Sequence, residues 1–505
     1  MLVALLLSFP VAASVGGRCQ LPRFHESGRE SASFAEPDPY RPEEAGYLDS
    51  PSLPIRVHYR RAEDADRAEM VLLPIAEETW RAEVETMGWP APPADFGLGG
   101  DDRYDIYFTN EDTFGGAWTW GTGSDVDSTD GLFSQSSFIA LDERISDADL
   151  PDFVSHEFNH ALQYTIDGWE QTLFVWESTA EAMEDLVYDD SDLYMVDIVD
   201  FQTLPWISLL SDSYSASVKE YNDYSYYEYG GSIFSLFVEQ RYGANDGTEL
   251  LALWMSLAQG GRGPEPDFVD AIGELAGDRA AFDGPYLEFA TWRMFTGERD
   301  DGAHFEEGAL WPREAGVELS GQYDVAALEG VSVTPEDAPY DLGANYFYVT
   351  NTGGDTRWLK LSLAGDAATR WAVVGVAWPT AGGPATIVTG SAAADLPLAD
   401  AAEYMVAVVN LGPAELDPEN SDLARGQYTL SFSVGEPDPD TTDDTGPGDT
   451  DPTGDTGSPD SGATLDPPCC KPDAVACGCA SGTSGGALAG WGLSLIALAV
   501  RRRRA

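Results

Sequence analysis

The sequence predicts an α+β domain followed by an all-β sandwich, an acidic disordered linker and a short hydrophobic C-terminal segment. Three observations carry this. Strand-like runs precede one long helical pattern from Asp149 to Asp167, and after Asn345 the period switches to short β-rich runs. From Glu436 to Pro468 the chain then has ten acidic residues and no basic ones. A chain of 505 residues, 43% of them hydrophobic, is long enough for two folded domains with unfolded ends.

In chain order, Met1 to Ala13 has the apolar core and small-residue end of a signal peptide, without a positive n-region, so residues 1–14 are expected to be a leader. The first domain is expected at residues 20–325. Within it Pro54 to Arg60, Tyr104 to Thr109 and Ser137 to Asp142 read as strands, and Ala62 to Met87 as a helix kinked at Pro74 and ended by Gly88 and Pro90. In the segment DLPDFVSHEFNHALQYTID, Pro151 suits a first helical turn, and Asp147, Asp149 and Asp152 complement the positive end of the helix dipole.

That helix carries the most informative motif of the chain. Only five histidines occur, and His156 and His160 lie four apart around Glu157, the pattern HExxH. Positions i and i+4 share a helix face, so both imidazoles can reach one Zn²⁺, with Glu157 next to where a metal-bound water would sit. A catalytic zinc takes three protein ligands and leaves one position open. The metzincin continuation is excluded, because Gln163 and Ile166 stand where its Gly and His would fall. Downstream, Glu177, Glu181 and Glu184 share one face of a second helix. Glu177 is the best third ligand, Glu181 the alternative and Asp167 a weaker candidate.

With Trp176-Glu177-x-x-Ala180 following HExxH, the chain resembles the gluzincins, the zinc metallopeptidase clan that includes thermolysin and the zinc aminopeptidases. The resemblance implies a zincin-like metallopeptidase fold with His156, His160 and Glu177 on zinc, and with Glu181 orienting a zinc-bound histidine from behind. It departs in spacing: sixteen residues separate His160 from Glu177, slightly fewer than in the best-known members. Zinc would lower the pKa of its water, Glu157 would take the proton as general base, and the hydroxide would attack a peptide carbonyl. Tyr227 or Tyr229, ahead of the apolar run SIFSLFVEQRYG, resembles the tyrosine that supplies an oxyanion donor in gluzincin aminopeptidases. The arrangement over residues 50 to 320 looks like a metalloprotease family common in myxobacteria. In such folds the last strand before the zinc helix usually lies at the sheet edge, which makes Ser137 to Leu141 a candidate rail for extended substrate.

Asp125, Asp127 and Asp130 alternate beside Gly131 and offer a Ca²⁺ site, without the twelve-residue loop and distal Glu of an EF-hand. Trp118, Trp120, Trp169 and Trp176 are candidates for a cleft lining. His25, His58 and His304 have no partner at metal spacing.

Short runs between Asn345 and Val434, separated by Gly, Pro, Asp and Asn turns, predict a β-sandwich accessory domain at 335–436. Residues 437–468 cannot bury a core and read as the linker. Residues 469–505 hold Cys469, Cys470, Cys477 and Cys479, an apolar stretch from Gly485 to Val500, and Arg501 to Arg504. They resemble the MYXO-CTERM sorting tag, in which a cysteine (here Cys477 or Cys479) precedes a hydrophobic segment and an arginine cluster. That resemblance implies a sorting or processing machinery as partner and cell-surface anchoring, with the membrane reached only through this segment. With four of the five cysteines in this tail, the folded body has no disulfide framework.

The 87 acidic against 27 basic residues give a formal charge of −60, which repels phosphate backbones and excludes nucleic acid as a partner. The expectation is an exported, surface-anchored zinc metallopeptidase acting on protein or peptide, an endopeptidase before an aminopeptidase. The competing class is a zincin scaffold that binds at the cell surface without catalysis.

Overall fold

The structure is a computed structural model, and it describes residues 41–436 except 112, 114–115, 126–131, 223–224, 261–264, 278–280, 415 and 418–422. The leader, the linker, Cys477, Cys479 and His25 lie outside the described residues, as do Asp127, Asp130 and the side chain of Asp125. No helix of the described residues is long and apolar enough to cross a membrane.

The described chain is a mixed α/β assembly, helices over one sheet and then two further sheets. Strands β1 (Gly46–Asp49), β2 (Ile55–Tyr59), β3 (Tyr104–Thr109), β4 (Ala117–Asp125) and β5 (Gln135–Asp142) form a sheet in the order β1-β2-β3-β5-β4. β2, β3 and β5 run parallel, while β1 and β4 are antiparallel edges. Every residue of β3 and β5 is buried, as parallel strands covered on both faces require.

This corrects the expected substrate rail. Ser137 to Leu141 is internal, paired with β3 on one side and β4 on the other, and the edge beside the central helix is β4. The chain lays β4 down first and returns with β5 inside it. β4 escaped the sequence reading because AWTWGTGSD mixes tryptophan with glycine, a residue depleted in strands.

The first helical run opens with a 3-10 turn at Ala62–Asp64, passes through α1 (Ala65–Arg67), widens into a π-helical stretch at Ala68–Leu72, continues as α2 (Leu73–Trp80) and widens again at Arg81–Thr86. The first wide stretch ends just before Pro74, where a missing N–H must be absorbed. Gly88 then stops the run at φ +87°, a conformation open to glycine without a Cβ penalty.

The central helix α3 (Leu150–Asp167) has Pro151 in its first turn and Gly168 at its end, and only Pro151 and Phe153 are not buried. It is enclosed by β4, β5, α2, α4 (Leu173–Val187) and a later helix. A helix buried on all sides cannot turn its polar side chains to water, so they must satisfy one another. The chain continues through α5 (Ile198–Gln202), α6 (Ala216–Lys219), α7 (Tyr227–Gly230), α8 (Ser232–Tyr242), α9 (Thr248–Leu257), α10 (Phe268–Leu275) and α11 (Asp283–Trp292). Of these, α7 and α8 pack on α4, and α9 reaches α3.

The β-rich region is built from β6 (Leu319–Asp324), β7 (Val331–Val333), β8 (Gly343–Thr350), β9 (Trp358–Gly365), β10 (Trp371–Pro379), β11 (Thr386–Gly390), β12 (Ala393–Pro397), β13 (Ala401–Asn410) and β14 (Tyr428–Gly435). They form two sheets, β11-β10-β13-β8-β6 and β12-β9-β14-β7, so two strands ahead of residue 335 pair into them. On β13, Tyr404, Val406 and Val408 face the core between the sheets, whereas Met405, Ala407 and Val409 belong to the core of the helical region. Each buried Val or Met of that second face contributes roughly 1.5–3 kcal/mol relative to exposure, so this sheet is glued on both sides. Tyr346 Oη also donates to the carbonyl of Ala290 on α11 at 2.9 Å.

Candidate metal centre

α3 and α4 pack as an antiparallel-type pair joined by a five-residue turn, and this pairing brings the HExxH face against the face carrying Glu177. His156 Nε2 lies 3.3 Å from Glu177 Oε2, and His160 Nε2 lies 3.4 Å from the same oxygen. The edge of a tetrahedron with bonds of roughly 2.0–2.1 Å is about 3.3–3.4 Å, the spacing of ligands around zinc. His160 Nε2 is buried and makes no hydrogen bond. Two imidazole nitrogens and one carboxylate oxygen converge, and this donor set fits a zinc ion.

The alternative ligand is separated by geometry. Among the described residues, His156, His160 and Glu177 bring ligand atoms within 4.8 Å of one another, and His156, Glu181 and Glu184 form a second such group without His160. Glu181 Oε2 stands 3.2 Å and Glu184 Oε1 3.1 Å from His156 Nδ1, the ring nitrogen facing away from Glu177. Both carboxylates therefore lie on the side of the imidazole away from Glu177, with Glu184 hydrogen-bonded to Nδ1. Glu184 joins Glu181 there because positions i+4 and i+7 from Glu177 fall on one face. Asp167 is not among these groups: its carboxylate accepts the N–H of Trp169 at 3.0 Å at the far end of α3.

Burial alone raises the Glu177 carboxyl, but the neighbouring His160 and the hydrogen bond with His156 outweigh it and hold Glu177 below its ordinary value. Glu228, which accepts from the Ser213 hydroxyl at 2.6 Å, is pushed up to about 8, mostly by burial and partly by the charge on Glu177. The centre is nearly dry: His156 is 3% exposed, Glu177 1%, and Glu157 and His160 0%.

Glu157 points toward the edge strand. Thr119 on β4 donates its hydroxyl to Glu157 Oε2 at 2.6 Å and lies 2.8 Å from the Glu157 carbonyl oxygen. The carboxylate expected to act as base is thus held by the edge strand of the sheet. The two candidate tyrosines part. Tyr227 is fully buried, packs on Phe201 and turns its hydroxyl to the carbonyls of Ile207 and Ser208 at 3.2 and 3.1 Å, away from an oxyanion role. Tyr229 stacks on His156, ring centroids 5.8 Å apart and planes 15° from parallel.

The tryptophans also divide. Trp176 lies in the core against Tyr164 and Trp254 and 6.1 Å from His160, whereas Trp118 and Trp120 pack with Phe138 and Tyr107 on the opposite face of the sheet. His58 is bound to Asp105 and Glu44, and His304 to Asp301. Sequence reading missed Thr119, which no local pattern marks, and Gln163, whose position three after His160 on the same helix was the available signal.

No family model matches the chain, and no curated protein matches it. Among solved structures it is similar to the pre-peptidase C-terminal domain of a collagenase from Bacillus anthracis, at 10% identity and TM-score 0.15, over 23% of this chain and 97% of that one. It is similar at 11% identity and TM-score 0.15 to PliG, a periplasmic inhibitor of g-type lysozyme from Aeromonas hydrophila, over 22% and 96% of the two chains. A family GH115 4-O-methyl-α-glucuronidase with specificity for decorated arabinogalactans follows at 9% identity and TM-score 0.14, over 70% and 54%. At these TM-scores the likenesses carry no argument about the fold or the site.

Proposed function

We propose that this chain is a zinc metallopeptidase of gluzincin type that hydrolyses peptide bonds in protein or peptide substrates. The observation that carries the reading is the convergence of His156 Nε2 and His160 Nε2 on one oxygen of Glu177, with Glu157 between the two histidines in sequence. When bound, zinc supplies Lewis acidity, acidifying a water and polarising the scissile carbonyl. Glu157 accepts the proton of the attacking water and returns it to the leaving amine. Thr119 keeps that carboxylate aimed by its 2.6 Å hydrogen bond, and Glu181 and Glu184 hold the His156 ring in place. Tyr229, beside His156, is the candidate donor to the oxyanion. The dry surroundings strengthen each of these interactions. The apolar leader and the cysteine-hydrophobic-arginine tail support an exported protein anchored at the cell surface.

The test is zinc content and cleavage of unfolded casein by the full chain beside Glu157→Gln. The expected outcome is about one zinc per chain in both, with chelator-sensitive cleavage reduced in the variant by roughly 10²–10⁴-fold. Zinc in both without cleavage in either would favour a binding scaffold, and no zinc in either after reconstitution would overturn the reading.

A further inference from the structure

Gln163 is fully buried one helical turn beyond His160, and its two amide atoms face opposite kinds of partner. Its Oε1 is 2.7 Å from His160 Nδ1. Its Nε2 is 2.8 Å from Asn159 Oδ1, 2.7 Å from Thr179 Oγ1 and 3.1 Å from the Trp176 carbonyl oxygen. A carbonyl oxygen can only accept, so the atom facing Trp176 must be the NH₂. Thr179 donates its own proton to the Val175 carbonyl at 2.7 Å and takes the Trp254 indole N–H at 3.1 Å, so toward Gln163 it too accepts. Asn159 donates its NH₂ to Glu83 at 3.1 Å, which turns its oxygen to Gln163. A flipped Gln163 would set oxygen against three acceptors. The amide is therefore held with its oxygen toward His160, and that oxygen needs a proton on Nδ1.

We propose that Gln163 is a positioning residue that locks His160 into the Nδ1–H tautomer, so that the lone pair of Nε2 faces the same point as Glu177 Oε2. This rests on the metallopeptidase reading for its purpose, though not for its geometry. The lock is built from both helices: Asn159 and Gln163 come from α3, and Trp176 and Thr179 from α4 beside Glu177. The turn that delivers the third ligand thereby also sets the proton of the second.

With only five histidines in the chain, ¹⁵N-histidine labelling of the full-length, zinc-free protein reads the tautomer directly, and the zinc dissociation constant reads its consequence. In the neutral ring the His160 proton is expected on Nδ1. Gln163→Leu is expected to release the tautomer and weaken zinc binding by about 10–100-fold. Unchanged tautomer together with zinc affinity within about twofold in Gln163→Leu would overturn the proposal. Should that variant not fold, a wild-type His160 protonated on Nε2 overturns it equally. A wild type with the Nδ1–H tautomer but no zinc binding would leave the lock standing and sink the metallopeptidase reading.

Discussion

Two regions of this molecule bury histidine among carboxylates, on opposite faces of the same sheet. On the outer face His58 bridges Asp105 and Glu44 and stacks on Tyr107 with ring centroids 4.2 Å apart. Arg41 binds Asp105 and Asp95 there, each at 2.5 Å, and lies 4.6 Å over the Phe138 ring. On the inner face His156 and His160 meet Glu177, and among the described ion pairs no arginine or lysine reaches that carboxylate. A guanidinium offers donors only, so it satisfies carboxylates and closes the network around itself. Imidazoles whose Nδ1 atoms face Glu184, Glu181 and Gln163 turn their Nε2 atoms toward one carboxylate oxygen instead. The first arrangement pairs its carboxylates with a guanidinium, and the second brings together a donor set that could hold a metal ion.

If that contrast is right, Glu177→Ala has the largest effect: zinc content of the dialysed protein falls from about one per chain to a small fraction, and casein cleavage with it, while Glu181→Ala keeps zinc with weakened affinity. Equal zinc loss in both variants would erase the distinction between ligand and orienting group. Tyr229→Phe is expected to lower kcat by about 10²–10³-fold with zinc retained. Tyr227→Phe should leave kcat within about threefold and cost on the order of 1 kcal/mol in stability, the worth of a buried hydroxyl hydrogen bond. If the two variants behave alike, the Tyr229 assignment fails.

Asp105→Asn probes the outer cluster. It leaves Arg41 and His58 facing a neutral amide, and the expected loss is about 3 kcal/mol in urea unfolding with zinc content unchanged. Zinc lost in step with stability would mean that the two faces are not independent.

A last effect concerns pH. Burial pushes the Asp167 carboxyl up to about 7, against the Trp169 N–H that lowers it and the Glu170 charge that adds to the rise. The folded protein then binds more protons than the unfolded chain between about pH 4 and 7. The stability this gives is complete below about pH 4, falls as pH rises, and is gone above about 7. Asp167→Asn should flatten that slope and unfold at higher urea than the wild type at pH 8. An unchanged difference between pH 5 and pH 8 would contradict the burial argument.

Much of this was legible locally. HExxH within a helix, and Glu177, Glu181 and Glu184 at i, i+4 and i+7, are consequences of 3.6-residue periodicity, which any helix obeys wherever it packs. The switch to short β runs after Asn345 and the charge of the tail need no tertiary information either. What the tertiary structure decided depends on which segments become neighbours. The order of β4 and β5 follows from where the returning strand docks, and that put Thr119 rather than Ser137 to Leu141 on the edge strand. That both histidine Nε2 atoms face Glu177 while Glu181 and Glu184 face His156 Nδ1, that Tyr229 rather than Tyr227 stacks on His156, and that the Gln163 amide faces His160 all come from contacts between α3, α4 and α7. Spacing along one helix says which side chains share a face, but only packing determines what that face meets.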